Sequence, residues 1–192
     1  MADAGVSGDD GVPSGLVLLV GPPASGKSSF VRTWVEDGRL DAAGVVSCDA
    51  IRYELFGPGV DVRDDPAVFD EMDRRITKRL KAAHTVVVDA TNVMPRARTR
   101  MIAWAQRYGQ PVTALRFRVA AEVLIRRNAQ RLGHARVPAD VVLRSTEAAA
   151  RHTGRAQLIG EGVTLVVDVP GEAEGVSPAQ AAATIRLNAQ RR

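Results

Sequence analysis

The sequence predicts a three-layer α/β domain, with a five-stranded parallel sheet, helices on both faces and an arginine-bearing lid. Three observations carry that prediction. Short β-rich runs at 16–20, 45–48, 85–89, 112–117 and 163–167 alternate with helical patterns, and strands joined by helical crossovers pair in parallel. The first run leads directly into Gly21-Pro22-Pro23-Ala24-Ser25-Gly26-Lys27-Ser28, which satisfies G-x-x-x-x-G-K-[ST]. The next two runs end in Asp49 and Asp89, at the carboxyl edge where such sheets bind ligands.

Residues 1–14 are rich in Gly, Ser and Asp and lack aromatics, the composition of a flexible tail. A single domain is expected over 15–192, with the lid at about 120–150. The apolar run Leu16–Val20 reads as a buried strand. The loop after it, a P-loop, supplies what a triphosphate needs: converging backbone N–H groups, a cation and a hydroxyl for magnesium. Gly21 and Gly26 free the backbone for positive φ and close approach, and a helix starting near Gly26 points its unpaired N–H groups at the anion. The predicted ATP-binding set is Gly21, Pro22, Pro23, Ala24, Ser25, Gly26, Lys27, Ser28 and Ser29, with Lys27 on the β and γ oxygens and Ser28 on Mg²⁺.

Asp49 follows the second strand and Arg52 lies three residues on, so a helix starting there puts both on one face. Asp49 can orient an acceptor hydroxyl and take its proton, and Arg52 can hold an anionic group of the acceptor. A helix N-cap for Asp49 and a surface ion pair for Arg52 are the structural alternatives.

Two apolar stripes identify core-facing helices, one of Phe69, Met72, Ile76 and Leu80, the other of Ala97, Met101, Trp104, Ala105 and Tyr108. Pro95 suits the first turn of the second. Between them, Asp89-Ala90-Thr91-Asn92 delivers a carboxylate, a hydroxyl and an amide to the same sheet edge. Asp89 would bind magnesium through water or hold Ser28, and Thr91 and Asn92 either contact the acceptor or cap the next helix. Arg96, Arg98 and Arg100 crowd that helix start, where they could follow a nucleic-acid backbone or stay solvated.

Arg127 and Arg131 are spaced i,i+4, so that two cations could close over the triphosphate from one helical face. The break at Gly133 to Pro138 is what a mobile lid needs. Ser177-Pro178 opens a last helix to about Gln190.

Composition narrows the class. The formal net charge is +4, and all but three of the 26 basic residues are arginine, which favours anionic partners. One cysteine, Cys48, excludes disulfides and cysteine-based zinc sites, and no histidine-based metal site is visible. Neither a signal peptide nor an apolar membrane span is apparent, so a cytoplasmic location with no membrane partner is expected. Aromatic content is 4%, and no stacking platform for single-stranded nucleic acid is evident.

The order Gly-x-x-x-x-Gly-Lys-Ser, Ser47-Cys48-Asp49-x-x-Arg52, Val88-Asp89-Ala90-Thr91-Asn92-Val93 with Arg98 following, and Arg127-Asn128-x-x-Arg131 resembles the polynucleotide 5′-kinase family. The likeness is to the kinase module of bacterial polynucleotide kinase-phosphatases and covers about residues 16–168, and no phosphatase or ligase module is expected beside it. It implies ATP-dependent phosphorylation of a 5′-hydroxyl end of RNA or DNA, with Asp49 as general base and Arg52 on the acceptor phosphate. It further implies that Lys27 and Arg127 stabilise the transferring phosphoryl group. Asp89, Thr91, Asn92 and Arg98 would complete the acceptor side.

Two other readings remain open. A small-molecule hydroxyl kinase, acting on an antibiotic, sugar or metabolite, would use the same loop, base and lid. A nucleotide-dependent switch or assembly ATPase would hydrolyse ATP without responding to any acceptor.

Overall fold

In the computed structural model, residues 11–58 and 66–188 are described. Strand β1 (Leu16–Val20) is apolar at every position and buried on both faces, as the central strand of a covered parallel sheet must be. It lies between β3 (Val86–Asp89) and β4 (Val112–Phe117), with β2 (Val45–Ser47) and β5 (Leu165–Val169) at the edges. The order is β2-β3-β1-β4-β5, and every pairing is parallel.

Side chains alternate along β1 onto two separate cores. Leu16, Leu18 and Val20 face one, packed beneath α2 (Cys48–Phe56), α3 (Pro66–Lys81), α4 (Pro95–Arg107) and α7 (Arg155–Gly160). Val17 and Leu19 face the other, beneath α1 (Lys27–Glu36) and α8 (Pro178–Thr184). Three layers follow from that alternation. On the α1 side, Phe30 stacks edge-on against Trp34 and Phe117. The Trp34 indole N–H donates to the Ala182 and Ile185 carbonyls at 3.1 and 3.0 Å, fixing the end of α8. The helices α5 (Ala121–Ala129) and α6 (Ala139–His152) lie in the segment expected to form the lid. Among the described residues no helix is long and apolar enough to cross a membrane.

Several boundaries differ from the sequence expectation. Cys48 opens α2 instead of ending β2. Strand β5 begins at Leu165, not 163, because the Val163 N–H is engaged by the Leu158 carbonyl at the end of α7. The last helix stops at Thr184, since the chain then turns to set Leu187 beside Val12 in a parallel bridge. Gln190 lies outside the described residues. Val12 is only 2% exposed, and it exchanges backbone hydrogen bonds with Arg186 and Asn188. The expected tail therefore ends before residue 12, and residues 1–10 lie outside the described ones.

The apolar stripes hold in part. On α3, Met72, Ile76 and Leu80 are buried as expected, Val68 is the fully buried residue at the helix start, and Phe69 packs at the edge of the core. On α4 the buried face is Arg98, Met101, Ile102 and Ala105, while Ala97 is exposed and Trp104 and Tyr108 only flank the core. A buried arginine displaces an alanine from that face.

Candidate active site

The phosphate loop joins β1 to α1 through two left-handed residues, Ala24 at φ 65° and Gly26 at φ 99°. Helix α1 starts with no side-chain cap at Gly26. Its first N–H groups are thus left for an anion, which the helix dipole also favours. Gly21 does not adopt positive φ. A Cβ there would stand 2.9 Å from the Phe117 carbonyl oxygen, so the glycine is required by close packing on β4. The Gly21 N–H donates to the Thr91 carbonyl at 2.9 Å, tying the loop to the strand end next door.

Lys27 is 7% exposed. Its ammonium donates to the carbonyls of Gly21 and Pro22 at 2.8 and 2.7 Å and to Ser25 Oγ at 3.2 Å. Burial lowers its pKa to about 8, with Asp89 and Asp49 pulling it up and Arg131 pushing it down. Those couplings place the loop lysine, both strand-end carboxylates and one lid arginine in a common field.

Burial raises the carboxyl pKa of Asp89, at the end of β3, against the pull of the neighbouring Ser28 hydroxyl and the Lys27 charge. One hydroxyl and one carboxylate are hard oxygen donors of the kind Mg²⁺ takes beside substrate phosphates. Ser28 and Asp89 fit such an ion, and among the described residues no cluster of three acidic, histidine or cysteine side chains offers another site.

The rest of this strand end is structural. Asn92, at φ 47°, is 3% exposed and donates its amide to the Leu19 carbonyl at 2.8 Å. Arg98 is fully buried. Its guanidinium donates to both Glu161 oxygens at 2.7 Å and to the carbonyls of Asn92 and His152, also at 2.7 Å. Neither the Asn92 amide nor Arg98 is placed to touch an acceptor: both groups are consumed in bracing β1, α4, α6 and α7. Thr91 contributes its carbonyl to the loop contact.

The first turn of α2 is the opposite case. Ser47 caps the helix, accepting from the Ala50 N–H at 3.3 Å, so Asp49 is not the cap. Its side chain is 93% exposed and pairs with Arg52 at 2.5 Å. Arg52 also donates to Cys48 Sγ at 3.4 Å. Carboxylate and guanidinium share a face of α2 with the carboxylate open to incoming molecules.

In the lid, α5 ends at Ala129, so Arg131 leaves the helix and does not share a face with Arg127. Arg127 pairs with Glu172 at 2.9 Å, and Arg126 pairs with the same carboxylate. Arg131 is the one whose charge reaches Lys27 and Asp89. Asn128, between them, clips the lid loop through a reciprocal pair with the Val137 backbone at 2.7 and 3.0 Å. Ala24 of the phosphate loop packs with Leu124 and Val142 in a small core of its own, joining lid to loop. A cavity of 430 Å³ inside the lid is lined by residues such as Ile125, Asn128, Arg136 and Val142, none of them from the phosphate loop or a strand end.

The AAA domain family AAA_33 matches residues 16–155. The chain belongs to that family. No curated protein matches it. Among solved structures, the AAA_33 chain is similar to one in a Pnkp1/Rnl/Hen1 complex, at 26% identity and TM-score 0.52, over 65% of this chain and 42% of that one. A chain of the Pnkp1/Rnl/Hen1 RNA repair complex shares 22% identity at TM-score 0.57, over 73% and 45%. The AAA_33 chain thus spans less than half the length of those chains. A gluconokinase from Sinorhizobium meliloti 1021 shares 24% identity at TM-score 0.52, over 88% and 90%. The fold is that of the P-loop kinases.

Glu161 and Glu172 were not singled out by sequence reasoning. Their partners lie 63 and 45 residues away, and no local pattern marks them. Asn128 was read only as part of the Arg127-Asn128-x-x-Arg131 motif, without its tie to Val137.

Proposed function

We propose that this AAA_33 protein transfers the γ-phosphate of ATP to the 5′-hydroxyl of an RNA or DNA end. The observation carrying this reading is the exposed Asp49 carboxylate at the start of α2, paired with Arg52 and electrostatically coupled to the phosphate-loop Lys27. Asp49 takes the proton of the acceptor hydroxyl, whose oxygen bonds to the γ-phosphorus as the bond to the β–γ bridging oxygen breaks and ADP leaves. Lys27 and Arg131 neutralise charge on the phosphoryl oxygens, and Arg127 joins them once it exchanges Glu172 for phosphate. Ser28 and Asp89 would hold Mg²⁺, which supplies further charge neutralisation. Arg52 holds the acceptor's own phosphate. The arginine-dominated charge and the 26% identity to a Pnkp1/Rnl/Hen1 chain support a nucleic-acid acceptor.

A second reading, a small-molecule hydroxyl kinase, is favoured by the end-to-end match to a gluconokinase. The two are separated by incubating the protein with γ-labelled ATP, Mg²⁺ and matched 5′-hydroxyl and 5′-phosphoryl oligonucleotides, with gluconate as a competing acceptor. The polynucleotide reading requires label only on 5′-hydroxyl ends, with a KM that climbs steeply with salt. Label on gluconate alone would establish the other.

A further inference from the structure

The chain holds eight aromatic residues, and all lie among the described ones. Phe30, Trp34 and Phe117 are buried, and Phe56, Phe69, Trp104 and Tyr108 pack against the main core. Tyr53 alone projects into solvent, 63% exposed. Its position is specific. On α2 it stands at i+4 from Asp49 and i+1 from Arg52, opposite the helix's one buried residue, Ile51. Residues four apart share a helical face, and side chains on a helix lean toward its N-terminus. Tyr53 therefore stands one turn along from Asp49 on the same side of α2.

The helix is held so that this face stays outward. Ile51 seats it on the core, and Glu54 on the next face pairs with Arg75 of α3, with a second contact at 3.3 Å. One turn of α2 thus presents a carboxylate, a guanidinium and an uncovered aromatic ring side by side.

We propose that Tyr53 is a specificity-determining residue of the acceptor site, a stacking platform for the terminal nucleobase of the strand whose 5′-hydroxyl lies against Asp49. The inference rests on the polynucleotide reading and narrows it. Three groups of one nucleotide meet three side chains of one helix face: hydroxyl on Asp49, 3′-phosphate on Arg52, base on Tyr53. Stacking on a ring face tolerates any base, so the site is selective for the presence of a terminal base and indifferent to its identity.

The test compares acceptors that differ only at their first residue, a normal 5′-hydroxyl nucleotide or an abasic one, at fixed ATP. The wild type should show a KM about tenfold lower for the base-bearing strand. Tyr53→Ala should raise that KM to the abasic value, with the loss in KM and not in kcat, while Tyr53→Phe should keep the preference. A wild type that phosphorylates both strands with equal KM overturns the stacking proposal and leaves the polynucleotide reading standing. So does a Tyr53→Ala protein that retains the preference. A wild type that phosphorylates neither strand overturns the polynucleotide reading, and the Tyr53 proposal with it.

Discussion

Helices α2 and α4 both start at the carboxyl edge of neighbouring strands, and both carry an arginine paired with a carboxylate, yet the two starts are built for opposite ends. At α2 the partners are three residues apart, the cap is local, and Asp49 is open to solvent. At α4 the partner of Arg98 is 63 residues away in sequence, Met94 provides no side-chain cap, and the guanidinium is sealed among Glu161 and two carbonyls. One start leaves its carboxylate open to solvent. The other spends charge on holding four elements together. A residue type at a strand end is therefore not a role, because burial and partner distance decide which it serves.

The largest expected effect lies on the α4 side. Arg98→Ala leaves Glu161 without its partner in a nearly closed site and should cost about 3–5 kcal/mol in stability, measurable by urea unfolding. A loss below about 1 kcal/mol would dissolve the contrast, because Arg98 would then behave as a surface pair.

Lys27 sharpens the comparison by pH. Its free-state pKa near 8 lies below the ordinary lysine value because burial disfavours the charge, and bound phosphate must raise it again. Nucleotide affinity should accordingly be full below pH 8 and fall about tenfold per unit above it, as binding then requires uptake of a proton. Titrating ATP binding between pH 6.5 and 9.5 checks this, and Lys27→Arg should flatten the profile, since arginine stays charged throughout.

The smallest effect belongs to the local cap. Ser47→Ala should cost about 1 kcal/mol, well under the Arg98 loss in the same unfolding assay. Equal losses would mean that the start of α2 depends on more than its own turn.

The same contrast explains what could be read from the chain alone. The phosphate loop was legible because its requirements are contiguous, from Gly21 to Ser28, and Asp49 with Arg52 because helical spacing sets their shared face. The sheet was legible from five apolar runs, although β5 slipped by two residues where a helix-end hydrogen bond competes for Val163. Arg98 and Asn92 were misread as acceptor contacts. Nothing in the residues near Arg98 announces Glu161, and an arginine on the face that also carries Met101, Ile102 and Ala105 breaks the apolar pattern it belongs to. Arg127 and Arg131 were assigned one face on the assumption of continuous helix, and the end of α5 at Ala129 separates them. Aromatic content gave no sign of Tyr53, because a composition counts rings without saying which one the core leaves out.

In the proposed reaction, acceptor chemistry resides at the start of α2. Asp49→Asn keeps size and hydrogen bonding but cannot take a proton, so the decisive measurement is its rate of label transfer from γ-labelled ATP to a 5′-hydroxyl oligonucleotide, with ATP binding measured alongside. Transfer reduced about 10²–10⁴-fold with nucleotide affinity retained is the result expected of a general base. Transfer at the wild-type rate would contradict the account and remove Asp49 from the mechanism.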